Sequence, residues 1–385
     1  MTSKTIINRP LEYSLRIFGA WPDSSHSFLK YIVWSIVMLT FLIFQYWYCI
    51  THVKSSLIEL LDGLSLTLSN TLVFLKLIII WLHIREFYEI LATVLEDCNN
   101  YASTVENERI MTDNAILSSR ISNFLIGYFS ITFLAYTGVA LSLFDEDQNG
   151  QVSKQRKFLV RMEFPFEATI SPRYETILMI QFIFQALIVY GAATSIALIA
   201  VLILHVGSQI DLFCQKVTEI SYNAKLKESR ELAIKDVVIR HQRIIRLCEN
   251  IETIFTYISL TQFLSNMMTI CFISFILVMS LHTEQATALI IKCFPYYVAI
   301  NCEAFILCYT GEYLTFKSES INQSMYSFLW YELSLQEART VLFIILRSQK
   351  ELILTAGKFV NLSLAAYANM LKASASYVSV LHAMY

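Results

Sequence analysis

The hydrophobic and polar positions of this chain come in long blocks, with apolar stretches separated by shorter polar segments. Six stretches hold 20 or more residues with at most two charged side chains: 31–50, 64–83, 121–144, 177–205, 253–281 and 288–309. About 20 residues of helix cross the ~30 Å hydrocarbon core of a bilayer. Since backbone N–H and C=O groups in lipid must form their hydrogen bonds within the segment, each stretch is predicted to be helical.

A seventh stretch, residues 359–385, is predicted to be one helix with two unlike faces. At 100° per residue, one face holds small and polar side chains: Asn361, Ala365, Asn369, Lys372, Ser376, Ser379, Val380 and Ala383. The other face holds Tyr367, Met370, Leu371, Val378, Leu381 and Tyr385. A buried polar group without a partner costs about 1–3 kcal/mol, so the polar stripe favours an aqueous pore. A helix–helix contact of small residues is the alternative.

The Lys and Arg residues predict the orientation of the chain. With a cytosolic N-terminus, nineteen of them lie in cytosolic segments and seven in external ones, which is the bias expected of membrane proteins. Seven crossings then place the C-terminus outside. The sequons at Asn322 and Asn361 lie in a cytosolic loop and in a predicted span, so the external loops carry none.

The segment between the fourth and fifth spans has the pattern of an amphipathic helix. Apolar positions recur every three or four residues at Ile234, Val237, His241, Ile244, Cys248, Ile251 and Phe255. This spacing predicts that the fifth span continues into the cytosol as one helix. Its apolar face packs either on its own bundle or on a neighbouring subunit.

Composition narrows the class of protein. The 385 residues are 56% hydrophobic and 16% charged, with a mean hydropathy of +0.52, which indicates a membrane protein. A formal charge of −2 without a basic cluster gives no support to nucleic-acid binding. The eight Cys show no metal-ligand spacing, and no phosphate-binding or hydrolase motif occurs. The sequence therefore predicts neither an enzyme nor a cofactor, and the polar first 30 residues do not resemble a cleavable signal peptide.

Lys76, Glu303 and Lys372 fall well inside predicted spans, where charge is costly and often functional. Lys76 lies near the inner end of the second span and is expected to extend its ammonium group to the interface. Glu303 in the sixth span is expected to find a partner near Tyr309 or the cytosolic end. Lys372 lies near the middle of the last helix and requires water or a carboxylate.

A ligand pocket is predicted in the outer halves of spans two, three, four and six. The candidates share an aromatic or apolar character with few polar groups: Leu66, Asn70, Val73, Phe129, Phe133, Tyr136, Thr137, Met179, Phe182, Ile183, Tyr296, Tyr297 and Ile300. This composition suits a small, largely apolar molecule held by shape and one or two hydrogen bonds. Aromatic residues at helical spacing also occur in plain protein cores.

Several motifs near the C-terminus resemble those of the insect odorant receptor family. They are Trp330-Tyr331, Arg347-Ser-Gln-Lys350, Leu354-Thr-Ala-Gly-Lys-Phe359 and the run from Ser376-Tyr377 to Leu381. Weaker similarities are Cys308-Tyr-Thr-Gly-Glu312 with Ser318 and Ser320, and Phe164-Pro165-Phe166 ahead of Ser171-Pro-Arg-Tyr174. The resemblance covers the whole chain in topology and about the last 80 residues in motif.

The resemblance implies an odorant-gated, non-selective cation channel in the plasma membrane of olfactory sensory neurons. Members form tetramers in which a tuning subunit joins a shared co-receptor, and this chain resembles the tuning subunit. The last helix would line the pore, with Lys372, Ser376, Ser379, Val380, Ala383 and Met384 facing it and Val380 and Met384 at the hydrophobic gate. The expected partners are the co-receptor, membrane lipid and a small volatile apolar ligand.

The sequence thus predicts an all-α membrane protein with seven transmembrane helices, a cytosolic N-terminus and an extracellular C-terminus. Residues 1–310 would hold spans one to six, 311–358 the cytosolic anchor helices, and 359–385 the pore-lining helix. A gustatory receptor would share this topology. A G-protein-coupled receptor would require the opposite orientation, and a secondary transporter would show inverted repeats.

Overall fold

The computed structural model describes residues 7–22, 26–53, 57–100, 105–146, 158–222, 230–280 and 286–384. Their helices are α1 Arg9–Ile17, α2 Ser27–Thr51, α3 Leu57–Leu82, α4 Ile84–Asn100, α5 Val105–Glu146, α6 Arg173–Tyr222, α7 Arg230–Ser280, α8 Ala286–Tyr326, α9 Leu335–Ser348 and α10 Leu364–Met384. A short 3-10 turn, Trp330–Glu332, and two strands, β1 Thr355–Ala356 and β2 Val360–Asn361, complete them.

Six helices are long and apolar enough to cross a membrane: α2, α3, α5, α6, α7 and α8. This confirms the six predicted apolar spans and the mostly helical fold. Helices α5 to α8 contain 42, 50, 51 and 41 residues, so each extends well beyond the length that a bilayer requires. Helix α10, with 21 residues and a polar stripe, does not belong to the six.

The continuation of the fifth span as one helix is confirmed. Helix α7 is unbroken from Arg230 to Ser280, and its predicted apolar face is buried along its length, from Ile234 to Phe255. That face packs on α4, α6 and α9 of the same chain. Within the part of the chain described, packing on its own bundle accounts for this surface.

The largest hydrophobic cluster surrounds α6. From residue 193 to 213 every side chain of α6 is buried except Ser195 and Asp211, which are half-buried. Helices α1, α4, α5, α7, α8 and α9 all contribute to this cluster. A helix that is apolar on all sides is stable when other helices surround it, and the middle of α6 has that position.

The last helix begins later than the sequence pattern predicts. Gly357 and Lys358 both have a φ of 62°, which reverses the chain so that Thr355 pairs with Asn361 and Ala356 with Val360. Asn361 therefore lies in a strand and not on the helical stripe, and α10 starts at Leu364. The predicted division at residue 310 also falls inside α8, which continues to Tyr326.

Helix α4 and the start of α9 have recognisable local signals. Helix α4 follows α3 after His83 and buries Phe87, Ile90, Leu91 and Val94, a spacing of three and four residues typical of an amphipathic helix. At α9, Ser334 and Glu337 form a reciprocal capping box. The hydrogen bonds from Ser334 hold the pKa of Glu337 below its ordinary value.

Candidate functional site

A cavity of about 80 Å³ lies between α3, α5, α6 and α8 and is also lined by Leu159 and Val160 of the preceding loop. Its lining is mostly apolar, and four helices and one loop contribute. The lining residues are Leu66, Ser69, Asn70, Leu72, Val73, Phe129, Thr132, Phe133, Tyr136, Thr137, Leu159, Val160, Gln185, Ile188, Val189, Ala192, Tyr296, Ala299, Ile300 and Glu303. Ligand pockets commonly measure about 300–1,000 Å³, so an occupant must be small or must displace part of the wall.

Nine of the thirteen residues predicted for the pocket line this cavity. The nine are Leu66, Asn70, Val73, Phe129, Phe133, Tyr136, Thr137, Tyr296 and Ile300. They come from α3, α5 and α8. On each of these helices, aromatic or polar side chains mark the face that meets the cavity.

The other four candidates lie elsewhere. Met179, Phe182 and Ile183 are 61%, 37% and 55% exposed on the outward face of α6, although the Phe182 ring packs behind Phe133 at 5.3 Å. Tyr297 packs with the cluster that contains Met370 on α10. Polar positions on this part of α6 are few, so hydrophobic periodicity alone does not indicate which of its faces meets the cavity.

Residues missed on α6 are Gln185, Ile188, Val189 and Ala192, which repeat at three and four residues. A signal for this face exists in the sequence. Gln181 and Gln185 are spaced four apart in an otherwise apolar run, and amide side chains in a membrane helix face the protein interior. Leu159 and Val160 carry no comparable signal, because a loop's position depends on tertiary contacts.

The segment 158–163 closes the cavity at one end. Gln181 holds it through both amide atoms: its Oε1 accepts from the Val160 backbone N–H at 3.3 Å, and its Nε2 donates to the Val160 carbonyl at 3.2 Å. The Glu163 N–H donates to the Phe44 carbonyl at 3.2 Å. These contacts keep Leu159 and Val160 in the cavity wall.

Ion pairs hold the same segment against α3, and a hydrogen bond holds it against α2. Arg161 lies 3.4 Å from Asp62 and 3.3 Å from Glu59, and it donates to the Tyr48 hydroxyl at 3.0 Å. Burial lowers the pKa of Arg161, but Asp62, Tyr48 and Glu59 raise it by more, so its pKa lies above the ordinary value. The strap, as we name residues 158–163, is therefore held by a guanidinium that stays charged.

Asp62 is also connected to the cavity wall, through an ion pair with Lys292. The Lys292 Nζ lies 2.8 Å from the Asp62 Oδ2 and 4.8 Å above the centre of the Tyr136 ring. Tyr136 lines the cavity, so the ionic cluster and the cavity share a wall.

A buried ion pair forms the opposite end of the cavity. The Lys76 Nζ donates to Glu303 Oε1 and to Ser195 Oγ, each at 3.0 Å, and both charged side chains are 4% exposed. The predictions for these two residues were wrong, because Lys76 does not extend toward an interface and Glu303 pairs with Lys76. The pairing joins α3 to α8 across about 227 positions of sequence, which no local pattern indicates.

Helix α10 exposes the predicted polar stripe. Lys372, Ser376, Ser379, Val380 and Ala383 are all exposed on the single chain, and Val380 is 54% exposed. The side chain of Met384 lies outside the described residues. Ala366, Met370 and Ser374 face the other way and are buried against α7 and α8.

Helix α8 connects the cavity to α10. Ile300 lines the cavity and belongs to the hydrophobic cluster that also contains Met370 of α10. One turn away, the Tyr367 hydroxyl donates to the Asn301 side chain at 3.5 Å. A displacement of α8 at the cavity would therefore also displace α10. Within the described residues, no three His, Cys, Asp or Glu side chains converge to hold a metal ion.

Comparison with known sequences identifies relatives. A profile of the 7tm odorant receptor family matches residues 56–375. Odorant receptor 85b of Drosophila melanogaster is 27% identical over 159 residues, which cover 41% of this chain and only 39% of that receptor. Odorant receptor 13a of the same species is 24% identical over 410 residues, covering 96% of this chain and 94% of the receptor.

Comparison with solved structures supports the fold. The insect olfactory receptor OR5 from Machilis hrabei in complex with eugenol superposes with a TM-score of 0.80 at 17% identity, covering 97% of each chain. The structure of OR5 from Machilis hrabei that matches next has a TM-score of 0.77. Since the family profile covers most of the sequence, this chain is a multi-pass membrane protein that belongs to the 7tm odorant receptor family.

Proposed function

We propose that this chain is the tuning subunit of an odorant-gated, non-selective cation channel. It would bind a small volatile ligand in the cavity between α3, α5, α6 and α8 and open a pore formed by the last helices of a tetramer with the shared co-receptor. Its site of action would be the plasma membrane of olfactory sensory neurons, with the N-terminus in the cytosol and the C-terminus outside.

The observation that carries the proposal is the sharing of α8 between the cavity and α10. Ile300 lines the space where a ligand would bind and belongs to the same hydrophobic cluster as Met370 of α10, and α8 and α10 are in contact. A ligand shifts a conformational equilibrium only by its differential affinity for the two states. An 80 Å³ cavity that must widen for its occupant supplies such a difference. The similar Machilis receptor was solved with eugenol, which is a small aromatic molecule of the expected kind.

The exposed face of α10 suits a pore lining in an assembly. Ser376 and Ser379 supply hydroxyls for water, and Val380 and Met384 would supply the apolar constriction that closes the pore by dewetting. Lys372 lies two turns of helix from Val380 on this face. A ring of four positive charges would oppose cations, so we expect the vestibule to be wide at Lys372 or few subunits to carry it.

The test of the gate is Val380→Ser, recorded as whole-cell current in cells that also express the co-receptor. A hydroxyl in a dewetted constriction favours water, so basal current is expected to rise or ion permeation to change. Val378→Ser is the matched control, because it makes the same change on the half-buried side of α10. Equal behaviour of the two variants and the wild type would remove Val380 from the pore.

The proposed orientation has its own test. An epitope tag after Tyr385 is expected to bind antibody on unpermeabilised cells. Labelling only after permeabilisation would support the opposite orientation and the topology of a G-protein-coupled receptor.

A further inference from the structure

Three hydroxyls that line the cavity are already hydrogen-bonded to protein partners. The Thr137 hydroxyl donates to the Phe133 carbonyl of the same helix at 2.9 Å. The Tyr296 hydroxyl of α8 donates to the Ser65 carbonyl of α3 at 3.3 Å and pairs with the Ser69 hydroxyl at 2.6 Å. These hydroxyls offer a ligand little beyond contact area.

Asn70 and Gln185 differ from these groups. Their amides face each other across the α3–α6 contact and exchange two hydrogen bonds, each 3.4 Å long. Both side chains line the cavity and are buried, at 2% and 8% exposure. Bonds of this length are near the weak limit for an N–H donor.

Counting donors and acceptors shows what the pair can still do. Each amide has two N–H donors and two lone pairs on its oxygen, and the reciprocal pair uses one of each. Two N–H groups and two lone pairs are left beside an apolar cavity, where a hydrogen bond is stronger than in water. A ligand oxygen that enters between the two amides can take up this capacity.

We propose that Asn70 and Gln185 are the specificity element of this cavity and select neutral ligands with one carbonyl or hydroxyl oxygen over hydrocarbons of the same shape. This rests on the proposed function. Ionic ligands are disfavoured because the charges near the cavity are already paired, Lys76 with Glu303 and Lys292 with Asp62. An extra carboxylate or ammonium would enter without a counter-charge.

The experiment compares wild type with the double variant Asn70→Leu/Gln185→Met, expressed with the co-receptor. Both replacements are close in shape, and removing both partners leaves neither amide orphaned, so folding is expected to be preserved. The probes are linear ketones, the corresponding secondary alcohols and the corresponding alkanes, in a series of increasing chain length. Currents are normalised to surface expression.

Wild type is expected to respond to a ketone or alcohol at lower concentration than to the alkane of that length. In the double variant this preference is expected to fall about 3- to 10-fold, the range for one or two neutral hydrogen bonds, with alkane potency little changed. The matched control is Thr71→Val, which removes a hydroxyl of α3 that lies outside the cavity lining and donates to the Thr67 carbonyl. Its preference is expected to match wild type.

Two results overturn the inference and leave the proposed function standing. One is an equal shift of potency for all three probe classes in the double variant. The other is a loss of preference in Thr71→Val with none in the double variant. A wild-type chain that reaches the surface with the co-receptor and passes no current with any probe would instead overturn the proposed function.

Discussion

Helix α6 has two regions with different surroundings. Its packed half, residues 193–213, is buried on nearly every side by the largest hydrophobic cluster. Its cavity half, residues 177–192, is exposed at Ile180 and Ile183 and has its inner face against a cavity. The two regions are similar in sequence, since both are runs of apolar residues.

The difference shows where the chain can move. Close-packed interiors transmit strain and tolerate little change of volume, whereas a cavity wall can shift at smaller cost. The cavity half depends on a few specific polar contacts: the Lys76–Glu303 pair at one end and the strap at the other. We therefore expect substitutions in the packed half to affect folding and those at the strap to affect ligand kinetics.

The largest loss of stability is expected at the buried Lys76–Glu303 pair, beside Ser195 where the two regions of α6 meet. Lys76→Met leaves the Glu303 carboxylate buried without its counter-ion, which costs about 3–5 kcal/mol when one partner of a buried pair is removed. Surface expression and the thermal stability of the solubilised protein should both fall.

The control for that change is the double variant Lys76→Met/Glu303→Gln, which removes both charges and should recover most of the stability. If the double variant is as unstable as the single one, the ion pair does not stabilise the contact between α3 and α8.

An intermediate loss of stability is expected at Gly311 of α8, where two parts of the chain pack closely. A Cβ on Gly311 would overlap the carbonyl oxygen of Leu362, the backbone just before α10, whereas a Cβ on Gly138 of α5 meets nothing within 4 Å. Gly311→Ala is expected to destabilise the protein by about 1–3 kcal/mol through overpacking.

Gly138→Ala makes the same change on another membrane helix and should leave surface expression at the wild-type level. Equal expression of the two variants would show that α8 and the chain before α10 do not pack as closely as the structure indicates.

The smallest effect on stability is expected at the strap. Arg161→Gln removes a partly exposed cation from Asp62 and Glu59, and such pairs contribute about 1 kcal/mol or less. Folding should survive, and the current should rise and decay faster after a pulse of ligand because the cavity opens more readily.

Arg173→Gln removes an exposed charge of the same sign at the start of α6 and serves as the comparison. Unchanged kinetics in Arg161→Gln would mean that the strap does not limit access to the cavity.

The sequence predicts the buried side of a helix correctly where that helix has a clear polar face. Along α7, a polar face opposite the row from Ile234 to Phe255 fixed the buried side correctly. Along the cavity half of α6 only Gln181 and Gln185 mark the buried side, and the predicted Met179 and Ile183 are exposed. At the last helix, Gly357 required a turn that hydrophobicity alone does not show.

The sequence alone determined that this protein is a bundle of long apolar helices in a membrane, because length and hydrophobicity are local properties that the bilayer selects. It also determined the two faces of the last helix, since a polar stripe has only one favourable direction. The tertiary structure decided which face of α6 meets the cavity, that Lys76 pairs with Glu303, and that the strap closes the cavity. These contacts join residues far apart in the chain, and their energies exist only after the helices have packed.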